Sequence, residues 1–203
     1  MASLSEKLSA SFSLGELCAS SSAERNPALK ALQDNPPDSV VANLRYLAQK
    51  ALQPVRTMLS VPLIINSGYR HPDVNKLIGA STTSQHCQGE AADCKLLPEF
   101  LYKSSAAFIR QTIADQVHHV TGCRVRSNVS ENYYLFAYVA LNLEKLDVDQ
   151  LIHEYGTAKG SPAWVHIAAS QRQNKRQILA VGTYTGGSYV SMNVTDALKL
   201  GTD

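Results

Sequence analysis

Residues 81–94, STTSQHCQGEAADC, set the tightest condition on how this chain can fold. They carry two side chains able to ligate a metal, His86 and Asp93, seven positions apart, with Gly89, Ala91 and Ala92 between them. Residues this small let other segments approach closely, and a hydroxyl, Ser84, lies two positions before the histidine. Two ligands do not make a site. A fold built around this stretch must therefore bring a further ligand from elsewhere in the chain.

The segment AWVHIA offers one. Read as a strand, its alternation puts Trp164, His166 and Ala168 on one face and Val165 and Ile167 on the other. Two histidines and one carboxylate, with a fourth position left to water, form a standard catalytic zinc set.

The gross numbers narrow the class. A chain of 203 residues is expected to form one domain over 1–203 with a core large enough to need no staples. Apolar residues at 44% and charged residues at 18% are those of a globular chain. A formal net charge of +2 gives no sign of a nucleic-acid partner. The four cysteines, at 18, 87, 94 and 123, form no CxxC pair, which argues against a zinc ribbon or a disulfide framework and for reduced thiols. The opening MASLSEKLSASFSLGEL lacks the pattern of an ordinary signal peptide, and no run of about 18 apolar residues occurs, so no membrane insertion is expected.

Local patterns predict the elements. Ser13 and Glu16 form a capping box that opens a short helix. SSSAERNPALKALQDNPP reads as a surface loop. Val41, Leu44, Leu47, Ala48, Ala51, Leu52, Val55 and Leu59 recur at helical spacing after Asp38, with a kink or break expected before Pro54. VPLII at 61–65 reads as a buried strand, followed by a turn and short helix. A helix is expected from Pro98 to about residue 117, a strand at 133–143, and a helix over DVDQLIHEYG ended by Gly156. AWVHIAAS, QILAVGTY and SYVSMNV read as a strand meander. The expected class is α+β, with helices packed on a small antiparallel sheet.

Three ordered motifs, SGYR at 67–70, SxHxxGxAxD at 84–93 and WxH at 164–166, resemble the M15 family of zinc peptidases. That family includes D-alanyl-D-alanine carboxypeptidases, vancomycin-resistance dipeptidases and phage endolysins. FSLGELCASSSAERN, PVRTML and DQLIHEYG are similar to its phage and bacterial branch. The resemblance implies one zinc ion per chain, held by His86, Asp93 and His166, with Arg70 facing the substrate and Ser84 beside it. It implies peptide-bond hydrolysis in peptidoglycan stem peptides, as a D,D-carboxypeptidase or an endolysin-type endopeptidase, by a monomer. Without a signal, such a protein would be made in the cytoplasm and reach the bacterial wall from a phage particle or with a holin's help.

Two departures from the family pattern matter. Many relatives carry an acidic general base three positions before the last histidine, where this chain has Ala163. Glu154, in LIHEYG, is the acidic residue expected to replace it. The polar, tyrosine-rich stretch 124–138 looks longer than usual and is expected to add a hairpin at the pocket rim. Ala163 also keeps open an alternative, a non-catalytic wall-binding or virion structural protein that retains the fold. Of the remaining residues, Glu90 is expected to be solvated, His118 and His119 structural, and His71 and His153 at the surface or behind the pocket. Trp164 is expected to pack beside the metal, and Cys87 and Cys94 to be small buried side chains.

Overall fold

A computed structural model of the chain describes residues 3–156 and 158–203. The N-terminal third is mainly helical and supplies a large share of the core. Ser13 caps helix α1 (Leu14–Cys18) by accepting the Glu16 amide, which is half of the expected capping box. Helix α2 (Pro27–Gln33) occupies the segment expected to be a loop. Asn26 accepts the amides of Ala28 and Leu29, and Pro27, which has no amide to satisfy, takes the first turn.

Helix α3 (Asp38–Leu47) passes through one wider π turn, Ala48–Leu52, into α4 (Gln53–Leu59). The π turn sits where Pro54 removes a backbone donor from the ladder, so the helix absorbs the proline by widening rather than breaking. All eight apolar positions of the sequence pattern are buried.

The strands among the described residues form one mixed sheet in the order β1-β2-β4-β3-β5-β6. They are β1 (Ile64–Ser67), β2 (Ala91–Lys95), β3 (Gln150–Gly156), β4 (Trp164–Ala168), β5 (Gln177–Gly182) and β6 (Val190–Met192). The α+β class holds, but the expected antiparallel sheet is mixed, because β3 and β5 run parallel while the other neighbours are antiparallel. β1 is an edge strand rather than a buried one, with Ile64 exposed while Leu63 before it is buried. Helix α5 (Pro72–Leu77) follows β1, capped by His71, whose Nδ1 accepts the Asp73 amide.

Two elements exchange identity with the sequence reading. Residues expected to be a strand form helix α7 (Glu131–Leu141), and the expected helix DVDQLIHEYG is strand β3. α7 packs on β2, β3 and β4 and is buried on nearly every side, so it shows no amphipathic period. Between β2 and α7, two short 3-10 turns lead into α6 (Ala107–Thr121), so the helix expected from Pro98 begins later. His118 and His119 lie at its C-terminal end. The chain closes with α8 (Val194–Leu198), to which α7 is tied by the Tyr133 hydroxyl donating to Leu198 O at 2.6 Å. No helix among the described residues is long and apolar enough to cross a membrane.

Candidate active site

One face of the sheet is covered by α7, and the other forms the floor of a cleft of about 930 Å³. Strand register decides which side chains enter it. Asp93 on β2 lies directly opposite His166 on β4, and His166 lies opposite Ile152 on β3. Two residues further along β3, Glu154 is opposite Trp164. Asp93, His166, Trp164, Ile152 and Glu154 therefore share one face, and all five line the cleft.

His86 comes from a 3-10 turn, Gln85–Gln88, just before β2. Ser84 caps that turn by accepting the His86 amide at 3.3 Å, and Gly89 ends it at φ +70. A Cβ on Gly89 would stand 2.8 Å from the Val40 carbonyl oxygen, so the small residue is required both by conformation and by close approach.

His86 Nε2, His166 Nδ1 and Asp93 Oδ1 form a nearly equilateral triangle with edges of 3.2, 3.1 and 3.3 Å. Four ligands around zinc at about 2.0–2.1 Å are themselves about 3.3 Å apart, so the triangle has the size of one face of a tetrahedral zinc site. The His86 ring is oriented from behind. Its Nδ1 lies 2.7 Å from Gly68 O, and since a carbonyl only accepts, that nitrogen carries the proton and Nε2 presents a lone pair. Gly68 itself is packed so closely that a Cβ there would meet Leu17 O at 2.3 Å. Burial alone would raise the Asp93 carboxyl, but His86 and His166 beside it hold it well below the usual carboxylate range. One carboxylate and two imidazole nitrogens, buried and converging, are the donor set that a divalent ion of zinc type takes once the imidazoles give up their protons.

Arg70 lines the cleft beside this triangle, its Nη1 donating to Ser67 Oγ at 3.0 Å and lying 3.4 Å from Asp93 Oδ2. Glu154 is buried on the cleft floor, where its Oε2 accepts the indole N–H of Trp164 and its Oε1 lies 3.5 Å from the Tyr189 hydroxyl. Burial pushes its carboxyl above the usual range, while His166 and the Trp164 bond pull the other way. Ala163 contributes its amide to Glu154 O.

The structure therefore gathers His86, Asp93, His166, Glu154, Arg70 and Ser84 in one cleft. It corrects other expectations. Glu90 is buried rather than solvated, with Oε1 accepting Ser170 Oγ at 3.0 Å and Arg172 Nη2 at 2.8 Å at the cleft's far end. His153 points to the opposite face of β3, where Tyr184 OH meets its Nδ1 at 2.6 Å and burial lowers its pKa to about 4. His71 caps α5 outside the cleft, in keeping with the surface placement expected. Residues 124–138 form no rim hairpin; Arg126 instead bonds the carbonyls of Lys159, Leu200 and Thr202, anchoring the chain's end to the entrance of α7. The contact of Tyr189 with Glu154 had no signal in sequence, because the two residues are far apart in the chain. Cys87 and Cys94 are buried and unpaired as expected.

A family model described as Peptidase M15 matches residues 10–128, more than half of the chain. The chain belongs to the peptidase M15 family. The match contains Arg70, Ser84, His86 and Asp93 and ends before Glu154 and His166. Peptidases of the M15 family are generally zinc-dependent, and the triangle of His86, Asp93 and His166 is the group of ligating side chains found among the described residues of this member. No curated protein matches the chain.

Proposed function

We propose that this M15 peptidase is a zinc-dependent hydrolase of peptidoglycan stem peptides, acting as a D,D-carboxypeptidase or an endolysin-type endopeptidase over a single domain, residues 1–203. The observation that carries the reading is the buried Glu154 carboxylate on the same sheet face as Asp93 and His166, which His86 joins from the turn before β2. Those three residues would hold the ion, whose chemistry there is that of a Lewis acid polarising the scissile carbonyl and acidifying water.

The remaining work falls to side chains of the chain. Glu154 takes a proton from the attacking water and returns it to the leaving amine, a task suited to a carboxyl whose pKa is raised by burial. Arg70, largely buried and pinned on one side by Ser67, directs its remaining donors at the substrate's carbonyl oxygen or terminal carboxylate. Ser84 stands at the mouth of the turn that carries His86 and contacts the same part of the substrate. With Glu154 available, the alanine at 163 no longer favours a non-catalytic wall-binding protein.

A zymogram on purified murein is the direct test. Clearing by the zinc-loaded protein, its loss with a chelator and its return with added zinc are expected. Absence of clearing on any murein, or clearing that a chelator leaves untouched, overturns the reading. Arg70→Lys keeps the charge and loses the planar fork, so it should lower turnover while leaving the melting temperature nearly unchanged. Unaltered kinetics would remove Arg70 from substrate contact, and marked unfolding would make it a structural residue.

A further inference from the structure

The two oxygens of Glu154 are held unequally. Oε2 accepts the indole N–H of Trp164, the residue paired with it across β3 and β4. Oε1 meets the Tyr189 hydroxyl at 3.5 Å, the outer limit of a hydrogen bond. An indole nitrogen only donates and does not give up its proton near neutral pH, so it occupies one lone pair of Oε2 and leaves Oε1 the freer oxygen.

The Trp164 ring is itself fixed. The Tyr155 ring lies 5.2 Å from it, tilted by 48°, and Lys95 Nζ stands 5.7 Å from the ring centroid. Tyr155 adopts φ +50 at the irregularity where β3 slips its register against β5 between Glu154 and Gly156. A non-glycine residue in that region costs conformational energy and is retained where its surroundings hold it in place. The other contact is built differently. Tyr189 is half-exposed and follows Gly186 and Gly187, at φ +65 and +78, whose Cβ positions face open space. One oxygen of the carboxylate is therefore held by a packed strand residue and the other by the end of a glycine-containing turn.

We infer that Trp164 is a positioning residue that pins Oε2 of Glu154, making Oε1 the oxygen that exchanges the proton and Tyr189 its displaceable cap. This rests on the reading of Glu154 as the general base. In the hydrolysis, the proton leaves water for Oε1 as the new carbon–oxygen bond forms. It then passes from Oε1 to the leaving nitrogen as the carbon–nitrogen bond breaks, and the carboxylate ends as it began.

Trp164 is the chain's single tryptophan, so the protein gives one indole peak in a proton–nitrogen NMR spectrum, assigned by its loss in Trp164→Phe. With or without zinc, that peak should lie downfield in the wild type, move upfield in Glu154→Gln and stay in place in Tyr189→Phe. In kinetics, Trp164→Phe keeps an aromatic ring, though a smaller one, and loses the donor. It should lower kcat roughly 10- to 100-fold, the range for losing a hydrogen bond to a charged group, with KM, zinc content and melting temperature near wild type. An indole peak unmoved in Glu154→Gln, or wild-type kcat in Trp164→Phe, overturns the assignment. A peak that moves while the wild-type protein hydrolyses no murein instead overturns Glu154 as base, and this role with it, while leaving the contact standing.

Discussion

Glu154→Gln should abolish nearly all hydrolysis while the protein still holds its zinc. Loss of a general base costs roughly 100- to 10,000-fold in rate, and the amide keeps the shape of the side chain while losing its basicity. The comparison is mass spectrometry of released muropeptides beside elemental analysis of the same preparation. The pH profile adds a sign. In the proposed role Glu154 acts only when ionised, and burial raises its carboxyl, so wild-type kcat/KM should fall as pH drops through that raised value. The residual activity of Glu154→Gln should lack this limb. Full activity in the variant would require another base, and His153, facing α7 from the opposite side of the strand, is not placed to be one.

Removing a ligand should have the opposite signature. Wild-type protein reconstituted with metal should carry about one zinc per chain, and His166→Ala should carry almost none and be inactive. His166 Nδ1 supplies one corner of the triangle, and the alanine leaves two ligating atoms, too few to compete with chelating buffers. Zinc retained at wild-type level in His166→Ala would show that the ion binds elsewhere. Zinc lost from Glu154→Gln as well would make the carboxylate part of the metal's support rather than the base.

What could be read from sequence follows from how local each signal is. The stretch 81–94 declared itself because the turn, its glycine and both of its ligating residues lie within fourteen positions, and the alternation around His166 sufficed to aim that side chain. The long helix was legible through its one-sided apolar face. α7 and β3 were not, since both are enclosed. Leu151, Ile152, His153 and Glu154 are all buried, so β3 shows no alternation, and its polar letters imitate a helix surface. α7 has the aromatic, uniformly apolar content of a buried strand, and only the sheet beneath it fixes it as a helix. Glu154, expected on a helix, thus reaches the cleft from a strand. Its relation to Trp164 becomes visible only with register, which no spacing of letters encodes. Asn26-Pro27 did carry a helix-start signal, submerged in a segment rich in serine and asparagine.

The adjacency of His153 and Glu154 on β3 has a bearing on how such a chain can change over generations. One residue belongs to the packed layer under α7 and its neighbour to the open cleft, and the same alternation runs along β4, where Val165 and Ile167 are buried on the face opposite Trp164 and His166. Heritable variation at cleft-facing positions, or in the turn before Tyr189, can retune what is hydrolysed without disturbing the layer that keeps the sheet folded. A single inserted residue in either strand has the reverse effect, because it exchanges the two faces at once and drives the carboxylate and the imidazole into the apolar layer. Lineages carrying this site are therefore free to explore new substrates by substitution, and barred from exploring them by insertions or deletions within β3 and β4.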